Sequence, residues 1–179
     1  MVVEKLPKEK KLTEEMEEYI EAIYELNTEN RAARTGEIAA KLKVAPASVT
    51  EVLAKLENRK LIIYEKYRGA VLTSEGLAKA KKLKRKHRLL ERFLVDILGL
   101  KRNIHEDACA MEHTLSDDAE HAMDKILGSP THCPAGSPIP PCECPECTLE
   151  QERKRAGVQQ LGPDDKDNDK DNIIKTGNT

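Results

Sequence analysis

The chain has 179 residues, of which 39% are hydrophobic and 35% charged, enough to close a modest core in one domain or two small ones. Neither an apolar run of about eighteen residues nor a signal-peptide core occurs, so a soluble, cytoplasmic protein without a membrane partner is expected. In that compartment the five cysteines read as thiols or metal ligands rather than as a disulfide framework.

The net charge of −2 hides an asymmetry: residues 1–90 hold 20 Lys and Arg against 14 Asp and Glu, a surplus of six, which leaves the remainder at −8. The N-terminal half is therefore the candidate for contact with a polyanion.

From Thr13 to about Thr28, apolar residues recur at Met16, Tyr19, Ile20, Ile23, Tyr24 and Leu26, a helical period with Thr13 as N-cap. Thr35 caps a short second helix to Leu42, and the turn Lys43-Val44-Ala45 leads to Pro46, whose fixed φ suits the first turn of a third helix. In that helix Val49, Val52, Leu53 and Leu56 face inward, which completes a helix-turn-helix. Leu61–Lys66 and Ala70–Thr73 are strand-like runs flanking Tyr67-Arg68-Gly69, a hairpin with a cationic tip. A basic hairpin after a helix-turn-helix is the winged-helix arrangement, in which the second helix of the motif enters the major groove and the wing meets backbone phosphate.

A long fourth helix is expected from Thr73 through Leu77, Leu83, Leu89, Leu90, Phe93, Leu94, Ile97 and Leu98 to Gly99. Its first half carries Lys79, Lys81, Lys82, Lys84, Arg85 and Lys86, a solvated face that can also track phosphate. A fifth helix holds the richest cluster of the chain. His105, Cys109, Glu112 and His113 fall on one stripe, and an imidazole, a thiol and a carboxylate converging this way are satisfied together by a divalent transition metal. His87 and Glu91, at i and i+4 of the fourth helix, add two donors, and Glu18 and Glu21 share a face of the first. Ser116 caps a sixth helix that ends near Gly128. Helices four to six are the natural place for a dimer interface, since a winged helix reads a palindrome as a two-fold dimer.

The segments Glu18-Tyr19-Ile20-Glu21-Ala22-Ile23-Tyr24, Tyr64 to Thr73, Lys86-His87-Arg88-Leu89-Leu90-Glu91 and Cys109-x-x-Glu112-His113 recur in order over residues 12–141. Together they resemble the diphtheria toxin repressor family of metal-dependent transcriptional regulators, including its manganese-sensing branch, and Pro138-Ile139-Pro140 fits the end of that family's dimerisation domain. The resemblance implies a mainly α protein: an N-terminal winged helix-turn-helix over 1–74 and a helical metal-binding and dimerisation domain over 75–141; residues 142–179 depart from the family and read as a Cys-containing segment with a disordered tail. It implies a primary metal site of Glu18, Cys109, Glu112 and His113 and an ancillary site of His87, Glu91 and His105, with Glu21 matching a ligand of the manganese branch. Glu18 stands where iron-type members have Met and manganese-type members have Asp. Cys109 stands where the manganese branch has Glu, and a thiolate suits Fe²⁺, Co²⁺, Ni²⁺ or Zn²⁺ better than Mn²⁺. The reading is therefore a repressor that, loaded with Fe(II), binds a palindromic double-stranded DNA operator as a homodimer. The alternatives are a manganese-responsive repressor and a redox or iron–sulfur-sensing regulator.

Base reading is expected from the exposed start of helix three, at Ala47, Ser48, Thr50 and Glu51, with Lys55 nearer phosphate. Lys66 and Arg68 supply the wing's phosphate or minor-groove contacts. No Gly-rich phosphate loop, nucleophile elbow or His-Glu-x-x-His motif accompanies the ligand stripe, so neither an enzyme nor a small-molecule substrate is expected.

After Pro141, 38 residues follow without strand periodicity, so the barrel-like third domain of many iron-type members is not expected in this sequence. Cys133, Cys142, Cys144 and Cys147 lie within fifteen residues and suit tetrahedral zinc or a small iron–sulfur cluster, with His132 as a substitute ligand. The Asp-rich stretch 162–172 is polar and aperiodic, and disorder is expected there.

Overall fold

A computed structural model of the protein describes residues 12–27, 31–144 and 147–148. The expectations for the Asp-rich stretch 162–172 and the rest of the tail lie outside the described residues. The chain divides into two compact units, 1–141 and 142–179.

Within the first unit, α1 (Glu14–Leu26) begins where the Thr13 hydroxyl accepts the Met16 N–H, and it buries Met16, Tyr19, Ile20, Ala22 and Ile23. α2 (Thr35–Leu42) starts one residue earlier than expected: Arg34 is the N-cap and Thr35 the first helical residue. The reason is Glu37, whose carboxylate accepts the Arg34 N–H at 3.0 Å and pairs with Arg31 at 2.8 Å, so the cap is supplied from inside the helix. α2 closes on Lys43 in the left-handed conformation, and α3 (Pro46–Asn58) opens on Pro46 and buries Val49, Val52, Leu53 and Leu56.

β1 (Ile62–Glu65) and β2 (Gly69–Leu72) pair antiparallel, with Ile62 opposite Leu72 and Glu65 opposite Gly69. β1 is two residues shorter than its strand-like run, and β2 keeps the expected length but begins one residue earlier, at Gly69. The far side of β2 is met by Ala33, which exchanges two 2.9 Å backbone hydrogen bonds with Ala70. Gly69 sits at φ 112° against that contact, where a Cβ would lie 2.5 Å from the Ala33 carbonyl oxygen. Asn27 closes the junction: its amide donates to the Arg31 and Ala70 carbonyls at 3.0 and 3.1 Å, which ties the end of α1 to the wing.

α4 (Ser74–Asp96) starts at the Thr73 cap and passes through both cores of the unit. One core joins α1, α2, α3 and the wing to Ala80; the other joins Leu89, Leu90 and Leu94 of α4 to Ala108, Met123 and Ile139. α5 (Ile104–Glu112) and α6 (Asp117–Ile126) pack on its second half, α6 capped by Ser116 as expected. The architecture is a mainly α winged helix-turn-helix followed by a helical domain. Among the described residues no helix is long and apolar enough to cross a membrane.

Two expectations are corrected here. α4 ends at Asp96, and Ile97 and Leu98 are exposed beyond it, because Leu98 and Leu100 turn their N–H groups back to the Phe93 and Leu94 carbonyls around Gly99 at φ 68°. The basic run is not a free face for phosphate. Arg85 is buried, bonded to Glu120 at 2.8 Å, Asp124 at 3.1 Å and the Pro140 carbonyl at 2.9 Å. Lys86 reaches the Leu115 carbonyl and Asp117, Lys82 also reaches Asp117, and Arg88 donates to the Pro138 carbonyl. Lys84 pairs with Glu25 of α1, which also accepts from Lys41 of α2. Burial works against the Glu25 charge, but the two lysines more than offset it and hold the carboxyl down at about 2.

Gly76 fixes the approach of α4 to the wing, since a Cβ there would lie 2.0 Å from the Leu61 carbonyl oxygen, whereas Gly36 has nothing within 4 Å. Gly76→Ala should therefore destabilise the fold by roughly 2 kcal/mol or more, against a change within about 1 kcal/mol for Gly36→Ala. Urea unfolding of the two variants checks this.

Candidate metal centre and nucleic-acid surface

Three helices deliver polar side chains to one place in the first unit. α4 brings His87 and Glu91, four residues apart on the face turned to α5. α5 brings His105, Cys109 and Glu112, and its C-cap residue is His113. α1 brings Glu14, Glu17, Glu18 and Glu21, at three-, one- and three-residue steps along one face.

His87 is the centre of the arrangement. Its Nδ1 lies 2.9 Å from Glu112 Oε2, and its Nε2 lies 3.2 Å from Glu91 and 3.0 Å from His105 Nδ1. Cys109 Sγ is 3.8 Å from a ring nitrogen of each histidine. His113 Nδ1 meets Glu17 at 2.8 Å, and its Nε2 is 3.6 Å from Glu112 Oε1. Two sets of donor atoms each gather within 4.8 Å: His87, His105 and Cys109, and Glu14, Glu18 and His113.

The electrostatics bear on which group the cluster suits. Glu21 is pushed up to about 7, by burial first and then by the charge of Glu112 and the hydrogen bond between the two carboxyls. Its Oε1 is buried without any hydrogen-bond partner, and Glu112 itself is only 2% exposed. Burial and the Glu112 and Glu21 charges push the Cys109 thiol up to about 11. Burial disfavours the His87 imidazolium, yet the Glu112 hydrogen bond and charge outweigh it and raise its pKa. An orphaned carboxylate oxygen, two facing carboxyls, two imidazoles and a thiol are a donor set that a divalent cation completes.

All eight sequence-derived ligands thus belong to one neighbourhood, but they do not sort into the two expected sets. Cys109 sits with His87 and His105, while Glu112 lies between His87 and His113. Glu18 is exposed and keeps company with Glu14 and His113. Glu14 and Glu17 were missed by the sequence reading, although the acidic stripe at 14, 17, 18 and 21 was a signal for them.

On the opposite function, Ala47, Ser48, Thr50, Glu51 and Lys55 are all exposed along α3, around the inward-facing valines and leucines. The Thr50 hydroxyl donates to the Pro46 carbonyl at 3.2 Å, which leaves it an acceptor outward. Lys66 and Arg68 are exposed on the wing, Arg68 paired with Glu65 at 3.0 Å. Between them Tyr67, 90% exposed at φ 69°, lies 5.3 Å beneath the Lys66 ammonium, an aromatic at the tip that sequence reasoning passed over.

In the second unit the thiol groups of Cys142, Cys144 and Cys147 lie within 4.8 Å of one another. Cys133, expected with them, belongs to the first unit, where it is buried and its backbone closes a turn with Gly136 and Ser137.

A winged helix joined through one long helix to a domain with convergent imidazole, thiol and carboxylate donors defines a class of DNA-binding fold with a candidate metal centre. Residues 11–70 match the family model described as the iron-dependent repressor N-terminal DNA-binding domain, and residues 73–141 match the iron-dependent repressor metal-binding and dimerisation domain. The chain is 37% identical over 130 residues to the iron-dependent repressor IdeR of Mycobacterium leprae, covering 72% of this chain and 56% of that protein. It is 36% identical over 132 residues to the diphtheria toxin repressor of Corynebacterium diphtheriae, covering 73% and 58%. The chain therefore spans little more than half the length of these relatives. Among solved structures, ScaR with bound Zn²⁺ is similar with a TM-score of 0.64 at 33% identity, over 84% of this chain and 85% of that one. The manganese regulator SloR follows with a TM-score of 0.62 at 38% identity, over 69% and 58%. The protein belongs to the diphtheria toxin repressor family of iron-dependent repressors.

Because the Glu21 carboxyl titrates near 7 in the fold and near 4.5 when unfolded, the metal-free protein loses stability as pH rises from about 4.5 to 7. Glu21→Gln should remove that loss and stabilise the metal-free protein at pH 8 by roughly 1–3 kcal/mol, while weakening its response to added metal. Thermal unfolding with chelator and with added Mn²⁺ or Zn²⁺ reads both effects.

Proposed function

We propose that this protein is a metal-dependent transcriptional repressor that binds a palindromic DNA operator as a homodimer when loaded with a divalent transition metal, Fe(II) being the favoured ion. The observation that carries the reading is the contact of Glu21 of α1 with Glu112 of α5. It places two like-charged groups across the junction between the domain that matches DNA-binding relatives and the domain that matches metal-binding ones. Glu18 and Glu17 face His113 across the same junction.

A divalent cation supplies the positive charge that these carboxylates lack. Glu21, Glu112, Glu18 and His113 would hold such an ion between the two domains, and its charge would favour the ionised form of Glu21. α1 is then held against α5, and the orientation of α3 and the wing is fixed relative to the helical domain. In a dimer that orientation sets the separation of the two reading heads, and so the half-site spacing that fits. Exposed Ile97, Leu98, Met111 and Ile126 of the helical domain offer apolar surface to a second copy.

The Cys109 thiol argues for Fe(II) over Mn(II), because a thiolate is a soft ligand, and the neighbouring His87 and His105 suit the same ions. The relatives include both an iron-dependent repressor and a manganese regulator, so the family alone spans both choices. On the DNA side, Ser48, Thr50 and Glu51 are placed to meet base edges and Lys55, Lys66 and Arg68 to meet phosphate.

The test is anaerobic fluorescence-anisotropy binding to an operator selected from genomic fragments, titrating Fe²⁺, Mn²⁺ and Zn²⁺ with wild type and Glu112→Ala. Metal should tighten binding by roughly 5- to 150-fold, and Glu112→Ala should lose that response. Affinity that ignores metal, or follows thiol oxidation instead, overturns the reading, and greatest potency for Mn²⁺ replaces iron by manganese. On the same operator, Lys66→Ala should weaken binding to all sequences alike and reduce the slope of log K against log salt by about one. An unchanged slope removes the wing from the interface.

A further inference from the structure

We propose that Cys142, Cys144 and Cys147 form a second metal site that takes Zn²⁺ through three thiolates. The site goes beyond the metal-dependent repressor reading and stands whether or not that reading holds. None of the three cysteines is in a disulfide, each is half-buried, and their sulfurs lie within 4.8 Å of one another. Tetrahedral zinc with Zn–S bonds of about 2.3 Å needs sulfurs about 3.8 Å apart. The remaining ångström is within the reach of small side-chain rotations.

The backbone holds the group together. The Cys144 carbonyl accepts from the Thr148 N–H at 3.0 Å and from the Thr148 hydroxyl at 2.8 Å, which sets Cys147 on a helical turn over Cys144. The Cys147 N–H donates to Cys144 Sγ at 3.3 Å. A backbone donor aimed at sulfur favours the thiolate and orients it, the kind of supporting bond that metal-ligating side chains use.

Composition gives the site a purpose. From Cys142 onward the chain has no aromatic residue, and its aliphatic residues larger than alanine are Leu149, Val158, Leu161, Ile173 and Ile174. That is too little apolar surface for a core, and a metal clip is the device by which so short a segment is organised. Thiolates select Zn²⁺ over Mn²⁺ or Mg²⁺, and three thiolates make a softer donor set than the mixed carboxylate, imidazole and thiol groups of α1, α4 and α5. Loading releases the three thiol protons to solvent without any change of oxidation state, and it leaves one position of a tetrahedral ion for a further ligand.

The experiment uses the full, reduced chain under anaerobic conditions, with Co²⁺ as the spectroscopic probe and Zn²⁺ counted by elemental analysis after gel filtration. Wild type, Cys109→Ser and the triple variant Cys142→Ser, Cys144→Ser, Cys147→Ser are compared, with far-ultraviolet circular dichroism confirming that each is folded. The expected result is a thiolate-to-cobalt charge-transfer band that Cys109→Ser retains in large part. The triple variant loses most of that band, together with one equivalent of tightly held Zn²⁺ and more than 100-fold in affinity for it. Equal zinc content in wild type and triple variant, or a band that depends on Cys109 alone, overturns the proposal. A disulfide among the three that persists in the reduced chain also overturns it.

Discussion

Two carboxyl groups, Glu21 on α1 and Glu112 on α5, are held face to face in a place where water barely reaches. A folded chain pays for such a pair by keeping a proton on one of them, and that is the state in which Glu21 titrates near neutrality. The surrounding groups follow from this constraint. Glu112 raises the His87 pKa against the effect of burial, burial and the same carboxylates push the Cys109 thiol up to about 11, and Glu21 retains an oxygen with no partner. A cation placed among these groups would offset the charge of both carboxylates and give the Glu21 oxygen a partner.

α4 makes that junction mechanically meaningful. It contributes Ala80 to one core and Leu89, Leu90 and Leu94 to the other, so both domains are built on a single rigid element. Its cations are spent internally: Arg85 on Glu120 and Asp124, Lys86 on Leu115 and Asp117, Arg88 on Pro138, Lys84 on Glu25. Breaking a buried pair such as Arg85 with Glu120 would strand a charge away from water, so these contacts hold α6 and the 138–140 segment in a defined position. The cationic surplus of the N-terminal half is consequently smaller at the surface than in the sequence.

Among the described residues, the start of α3 and the wing tip are exposed. The wing is short and stiff, tied at its base by Gly76 against Leu61, along β2 by Ala33 and at its root by Asn27. Its tip carries Lys66, Tyr67 and Arg68, with Tyr67 in a backbone conformation that throws its ring into solvent. An amphipathic ring beside a cation gives the tip both a stacking surface and a charge.

The local pattern of the sequence determined the elements. Helical periodicity, the Thr13, Thr73 and Ser116 caps, Pro46 and the Tyr67-Arg68-Gly69 turn specify their own structure within a few residues, because each bond involved spans a turn or less. The i, i+4 spacing of His87 with Glu91 and of His105 with Cys109 made the donor faces legible in the same way. Tertiary structure decided everything that depends on partners distant in sequence. Asn27 meets Ala70 across 43 residues, His113 meets Glu17 across 96, and Arg85 meets Glu120 across 35. Thus Glu17 joins the cluster unannounced, Cys109 settles with His87 rather than with Glu18, and a basic run that reads as a phosphate track becomes a set of internal staples. A linear pattern fixes which face of a helix a side chain occupies, but the charge or carbonyl that meets that face is set only when the helices pack.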